Sequence, residues 1–353
     1  MRHTKKRVWA GVAALAVTAA LTPPVHASPA TDATDAAAAA AGDDRPDALS
    51  DARRAGIEKA VSMVVSGEAT PVAKGKGKSV QVSPGQWVQY GLQSTDNILT
   101  FLVDFGDQID TRFPDAPAGP VHNQIPQPDR SVDNTTYWEP DFSRDHYLEM
   151  FFGGGESMTD LYRDMSSGRY TVNGDVSDWV TVPYNSASYG QTESQADMTR
   201  FIQDSANAWY DAQRAAGKSN AEITAYLQTF DKWDRFDYDK DGVFSEPDGY
   251  IDHFQAVHAG TGEEAGAPEW TIWSHRWAAG QRSGGGPSWN RFGGVRVGET
   301  DFWIRDYTTE PENGGLGVFA HEYAHDLGLP DLYDTSGGEN GTGFWTLMSS
   351  GSW

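Results

Sequence analysis

Hydrophobic and polar positions fall into three textures along the chain. Residues 8–21 are an apolar run behind a basic flank of Arg2, Lys5, Lys6 and Arg7. Residues 28–50 are Ala, Asp, Thr and Pro with hardly any large apolar side chain. From residue 97 onward, apolar segments recur at strand and helix periods. The near-continuous run Asn97-Ile98-Leu99-Thr100-Phe101-Leu102-Val103-Asp104-Phe105 predicts a buried strand. Helical spacing predicts helices over 52–65, 140–152, 156–165, 194–216 and 220–233, with Phe201, Ala208, Trp209 and Ala212 as a core stripe on the fourth. Residues 170–184 suggest two strands joined at Asn173-Gly174, and 250–258, 271–277 and 302–308 suggest further strands before a helix at 316–327. Helices interleaved with strands, without an internal repeat, give an α/β fold.

The N-terminal textures predict processing rather than core structure. Residues 1–27 read as a secretory signal peptide ending at Val25-His26-Ala27; the apolar run of about 14 residues is short of the roughly 20 that span a bilayer. Residues 28–95 read as a propeptide, with 28–50 disordered because they bury too little to offset ordering entropy. Within it, Lys74-Gly75-Lys76-Gly77-Lys78 predicts a flexible, protease-accessible link. The compact domain is expected over 96–353, in a secreted, monomeric protein without a membrane span.

Composition narrows the chemistry. A formal charge of -23, with 50 acidic against 27 basic residues, opposes nucleic acid as a partner. Absence of cysteine removes thiol nucleophiles, thiolate zinc ligands and disulfides together. An exported chain without disulfides points to bound calcium as a stabiliser. Serine chemistry has no GxSxG elbow to support it.

The sharpest signal is His321-Glu322-Tyr323-Ala324-His325-Asp326-Leu327-Gly328-Leu329-Pro330-Asp331. Positions i and i+4 share a helix face, so His321 and His325 can ligate one zinc while Glu322 stands beside its open position as general base. Gly328 can end the helix in a left-handed residue and Pro330 stops it resuming, so the chain turns back. Asp331 then becomes the third ligand, with Asp334 a second candidate. In the mechanism this implies, zinc lowers the pKa of its water, Glu322 takes the proton, and the proton passes to the leaving amine. Tyr333 and His275 are candidates for stabilising the oxyanion. A thermolysin-like arrangement would need Glu339 on a helix, and its glycine-rich surroundings oppose one.

This motif, followed by Trp345-Thr346-Leu347-Met348-Ser349-Ser350-Gly351-Ser352, resembles the metzincin clan, with Met348 at its Met-turn. More narrowly the chain is similar to the immune inhibitor A type, M6 family of metalloproteases. The segments Phe101–Asp107, Gly119–Pro126, Ser167–Tyr170, Asp178–Tyr184 and Val257–Gly260 carry the likeness beyond the motif. The resemblance covers about 97–353, and 28–95 more weakly. It implies a metzincin-like catalytic domain with a mixed sheet, an active-site helix and a Met-turn. It further implies a calcium-stabilised zinc endopeptidase, made as a zymogen, that cleaves protein or peptide substrates. Metzincin-like domains generally continue into a C-terminal helix, so the domain is expected to be truncated at its C-terminus.

A second motif, Asp237-Tyr238-Asp239-Lys240-Asp241-Gly242-Val243-Phe244-Ser245-Glu246-Pro247-Asp248, has calcium-loop spacing. Its expected ligands are Asp237, Asp239, Asp241, the Val243 carbonyl, Ser245 and Asp248, with Asp252 assisting. Asp at the twelfth position, where Glu gives bidentate reach, suggests a static site.

Overall fold

In this computed structural model the described residues are 42–91, 94–336, 338 and 340–352; the segment read as a signal peptide lies outside them, as does Glu339. Helix α1 (Ala48–Val65) is followed by β1 (Val72–Lys74), β2 (Gly77–Ser83) and β3 (Gln86–Gln89), a small antiparallel sheet. Then come β4 (Ser94–Gln108), α2 (Arg144–Phe152), α3 (Met158–Met165), β5 (Tyr170–Tyr184), α4 (Ala187–Gly190), α5 (Gln195–Ala215) and α6 (Asn220–Leu227). The chain continues through β6 (His253–His258), β7 (His275–Ala278), β8 (Val295–Arg296), β9 (Trp303–Ile304) and β10 (Asp306–Pro311) to α7 (Leu316–Leu327).

The central sheet has the order β5-β4-β6-β10-β7, parallel except for the antiparallel edge strand β7. It is therefore mixed. Strand period explains how β4 serves two cores. Leu99, Phe101, Val103 and Phe105 face α5 and α6, where Phe101 stacks on Trp209 with ring centroids 4.8 Å apart. Ile98 and Leu102 face the opposite layer, where Tyr147 and Phe151 of α2 and Tyr162 of α3 meet Phe319 and Tyr323 of α7. Each fully buried side chain of this size contributes about 1.5–3 kcal/mol, so the second layer fixes α7 against the sheet.

Three expectations change. The 170–184 segment is one strand, not a hairpin: Gly174 lies where an added Cβ would come within 2.1 Å of the Ile98 carbonyl, so glycine here permits close strand approach rather than a turn. The lysine-rich link is an ordered hairpin, in which Lys74 Nζ donates to the Asp241 carbonyl at 2.8 Å and Lys76 N–H to Ser245 Oγ at 2.8 Å. Residues 42–50 are ordered, because Arg45, Asp44 and Asp47 find partners far along the chain in Glu193, Arg276 and Arg305. No described helix is long and apolar enough to cross a membrane.

Candidate metal centre

Helix α7 begins just after β10 and ends at Gly328, whose φ of 102° is left-handed. The Gly328 N–H donates to the His325 carbonyl at 2.9 Å and the Leu329 N–H to the Ala324 carbonyl at 3.0 Å, a Schellman closure. The chain thereby reverses as the Gly328 and Pro330 signals predicted, and Asp331 returns over the helix.

That reversal gathers the donors. His321 Nε2 and His325 Nε2 are 3.1 Å apart, and Asp331 Oδ1 lies 3.3 Å from the first and 3.2 Å from the second. Each ring's Nδ1 donates to a backbone carbonyl, His321 to Leu347 at 2.7 Å and His325 to Leu329 at 2.8 Å. A carbonyl only accepts, so each ring carries its proton on Nδ1 and, when neutral, turns an Nε2 lone pair inward. Asp331 Oδ1 is buried without a well-formed hydrogen bond. Burial lowers the His321 pKa, but Asp331 and Asp43 carry it up to about 10. Converging lone pairs and carboxylates thus call for a positive charge in their midst, and a divalent cation meets that requirement through two imidazoles and oxygen donors. Asp334, the alternative ligand, instead accepts the Ser336 N–H at 2.9 Å.

Glu322 is buried beside these donors, and its Oε2 has no hydrogen-bond partner. Burial, then the Asp43 and Glu310 carboxylates, push its pKa far up. Glu322 and His321 share a cleft of about 310 Å³ with Asp43, Glu264, Ser274 and Tyr333. Tyr333 is thus at the site. His275 is not available to it: the ring is fully buried, with Nδ1 donating to the Trp273 carbonyl and Nε2 accepting from Tyr307 Oη. Met348 is buried, and its carbonyl accepts the Leu332 N–H at 2.8 Å, joining the turn at 347–349 to the chain after Asp331.

Two residues stand out only in three dimensions. Asp43 joins His321, His325 and Asp331 in one potential ligand group. Its local signal is no more than the change from alanine-rich chain to Gly42-Asp43-Asp44-Arg45-Pro46. Asp326, next to His325, faces away from the donors and accepts two hydrogen bonds from Arg235, at 2.8 and 2.9 Å, and one from His253 at 2.6 Å. The three groups fix the rear of α7 from inside the protein.

In the acidic loop, Asp237, Asp239 and Asp241 lie together, as do Asp234, Asp239 and Glu246. Gly242 takes the left-handed conformation expected at the sixth position, with φ of 82°. Asp248 belongs to neither cluster: it accepts the Tyr250 N–H at 2.9 Å, with Asn290 beside it.

Comparison with known proteins accords with this geometry. The family model described as Immune inhibitor A peptidase M6, catalytic domain, matches residues 85–353. Immune inhibitor A of Bacillus thuringiensis subsp. alesti is 34% identical over 304 residues, which cover 80% of this chain and 40% of the relative. Pre-pro-metalloprotease PrtV of Vibrio cholerae serotype O1 (strain M66-2) is 33% identical over 284 residues, covering 74% of this chain and 28% of the relative. The chain therefore spans less than half the length of these relatives. With the motif, its geometry and this match in agreement, the chain belongs to the immune inhibitor A family, the M6 peptidases.

Proposed function

We propose that this protein is a secreted zinc endopeptidase that hydrolyses peptide bonds of proteins, with His321, His325 and Asp331 as zinc ligands and Glu322 as the catalytic base. The observation that carries the reading is the approach of Asp331 Oδ1 to both Nε2 atoms, at 3.3 and 3.2 Å, beside an unpartnered Glu322 Oε2. A bound zinc supplies Lewis-acid polarisation of the scissile carbonyl and lowers the pKa of water. The chain's own residues supply the rest. Glu322 takes a proton at Oε2 and returns it to the leaving amine. The Leu347 and Leu329 carbonyls keep His321 and His325 in the tautomer that leaves Nε2 free. Tyr333 lines the cleft, and its hydroxyl is the candidate donor to a developing oxyanion. Met348 packs under the centre as a Met-turn; a thioether is too soft a donor to join a zinc set of this kind.

Residues 1–27 act as the signal peptide and 28–95 as the propeptide of a zymogen, with the catalytic domain from residue 96. Calcium at Asp237, Asp239, Asp241, the Val243 carbonyl, Ser245 and Asp248 stabilises the fold, supported by the clustering of the first three carboxylates.

The deciding experiment is metal analysis joined to casein cleavage with and without a zinc chelator, for the processed protein and its Glu322→Gln variant. One zinc per chain, cleavage lost on chelation, and a zinc-loaded but inactive variant are expected. Cleavage that survives complete zinc removal would overturn the reading. Full activity of Glu322→Gln would remove Glu322 from the mechanism. A zinc-bound module without hydrolytic activity would need the histidines but not that carboxylate.

A further inference from the structure

Resting on the reading of this protein as an endopeptidase, we propose that Glu193 is the floor of a substrate subsite for a basic side chain, arginine above all, two or three residues from the scissile bond. Glu193 stands in the loop between α4 and α5, with its side chain 9% exposed. Its Oε1 accepts the Trp273 N–H at 2.5 Å, and Trp273 also lines the cleft that holds His321 and Glu322. The pocket is therefore continuous with the wall of that cleft. Its Oε2 meets the guanidinium of Arg45, the one hydrogen-bond partner of that oxygen among the described residues.

Arg45 reports what the pocket holds. The same guanidinium lies over the Trp277 ring, 5.5 Å from its centroid, an arrangement that suits a planar cation better than the ammonium of lysine. His275, at the side of the pocket, has Nδ1 on the Trp273 carbonyl and Nε2 on the Tyr307 hydroxyl, at 2.7 and 2.9 Å. Burial, then the Arg45 charge, hold its pKa well below the usual value, so the ring stays neutral and does not compete for the carboxylate. Burial pushes the Glu193 pKa up, and the Arg45 charge opposes that rise. A carboxylate so enclosed calls for a cation whenever Arg45 is elsewhere.

The way in which Arg45 arrives can be reproduced by another polypeptide. The Arg276 N–H donates to the Asp43 carbonyl at 2.8 Å, and the Arg45 N–H to the Arg276 carbonyl at 3.0 Å, so 43–45 pairs with the edge strand β7 through main-chain groups that any extended chain possesses. Alternation along an extended chain sends residues 43 and 45 to one side and residue 44 to the other. Asp43 Oδ2 is 3.2 Å from His321 Nε2, so the side chain two positions on enters the Glu193 pocket while its neighbour stands at the reacting centre. Glu193, Trp273, His275, Trp277 and Tyr307 all lie in the region read as the catalytic domain, so the pocket belongs to the body that binds substrate. Glu193 further holds a left-handed φ of 40°, which residues other than glycine rarely adopt and which concentrates at functional positions. Glu264, the neighbouring acid of the cleft, is by contrast already taken up by Ser274, from Oγ at 2.6 Å and from N–H at 3.2 Å.

The test maps the bonds that the processed, zinc-loaded enzyme cleaves in a mixed peptide library by mass spectrometry. Arginine should exceed alanine by at least about tenfold at one position two or three residues from the scissile bond, with lysine second. Two peptides taken from that profile, differing only in arginine or alanine at the position, are then compared by kcat/KM for wild type and Glu193→Gln. The arginine-to-alanine ratio should fall by about tenfold in the variant. A wild-type profile without a basic preference at any such position overturns the subsite, and this result stands even where the variant fails to fold. A variant that lowers both peptides alike makes Glu193 structural and overturns it as well. An enzyme that cleaves nothing in the library overturns the endopeptidase reading, and the subsite with it.

Discussion

The Leu347 carbonyl accepts the Nδ1–H of His321 at 2.7 Å, so a turn 26 residues downstream orients a ring of the candidate metal centre. Met348, the next residue, is buried, and its carbonyl accepts the Leu332 N–H. Met348→Ala should therefore weaken zinc retention by about tenfold while leaving the ligand set intact, the scale of effect that supporting residues of metal sites have. Competition with a chromophoric chelator measures it; unaltered affinity would detach the turn from the site.

Gly328 closes α7 in a left-handed conformation that costs an alanine about 1 kcal/mol or more. Gly328→Ala should lower stability by that order in urea unfolding. Because Asp331 follows the reversal, it should also lower zinc affinity. A stability loss without any change in zinc affinity would mean that the reversal does not position Asp331.

Tyr333 reaches the Asp43 carboxylate through its hydroxyl alone, so Tyr333→Phe removes one donor without opening the cleft. In the processed enzyme, kcat should fall by about 10² with zinc content unchanged, as for loss of an oxyanion donor. A kcat equal to wild type would confine the hydroxyl to holding Asp43.

His253 gives the fold a pH dependence of predictable sign. Burial lowers its pKa, but the hydrogen bond to Asp326 and the Asp96 carboxylate raise it to about 9 against an ordinary 6.5. Arg235 also pairs with Asp326, and Asp252, next to His253 in sequence, has its carboxyl pushed up to about 8 by burial and so gains charge only in the upper part of this range. A folded pKa above the unfolded one stabilises fully below about pH 6.5 and is lost as pH rises through about 9, on the order of 3 kcal/mol. Urea unfolding between those pH values should show this loss for wild type and not for His253→Gln; parallel losses would refute the assignment.

Calcium removal with EGTA should lower Tm, and the missing ligand energy grows with the logarithm of calcium concentration over Kd. Asp239 is common to both carboxylate clusters of the acidic loop, so Asp239→Ala should abolish the calcium response altogether. Asp241→Ala should do so only if calcium occupies the cluster with Asp237, whereas Glu246→Ala reports on the cluster with Asp234. A Tm indifferent to EGTA in wild type would remove calcium from this loop.

What the sequence makes legible follows the range of the forces involved. Helix α7 is read to the residue because its start and stop are local: a glycine-rich approach, a left-handed Gly328 and Pro330. The same locality makes the convergence of His321, His325 and Asp331 readable. Residues 42–50 mislead for the opposite reason. Their composition offers no local burial, and their order comes from Arg45 with Glu193 and Asp47 with Arg305, pairs far apart in sequence. Asn173-Gly174 has the composition of a hairpin turn, yet the neighbouring strand at Ile98 decides its conformation. Asp326 carries no visible role in the motif because Arg235 and His253 reach it only through the tertiary fold.

The segment beside β7 has a consequence for colloidal behaviour. β7 is the outermost strand of the central sheet, and at Arg276 its outward N–H and carbonyl are taken by Asp43 and Arg45. A sheet rim with free main-chain groups is a template for strand addition by another copy. With residues 43–45 in place the rim is satisfied within the molecule, so the intact chain is guarded against edge-to-edge aggregation. If the proposed propeptide is removed, the same groups become available to any extended chain, and the processed form would carry a sticky edge that its precursor does not.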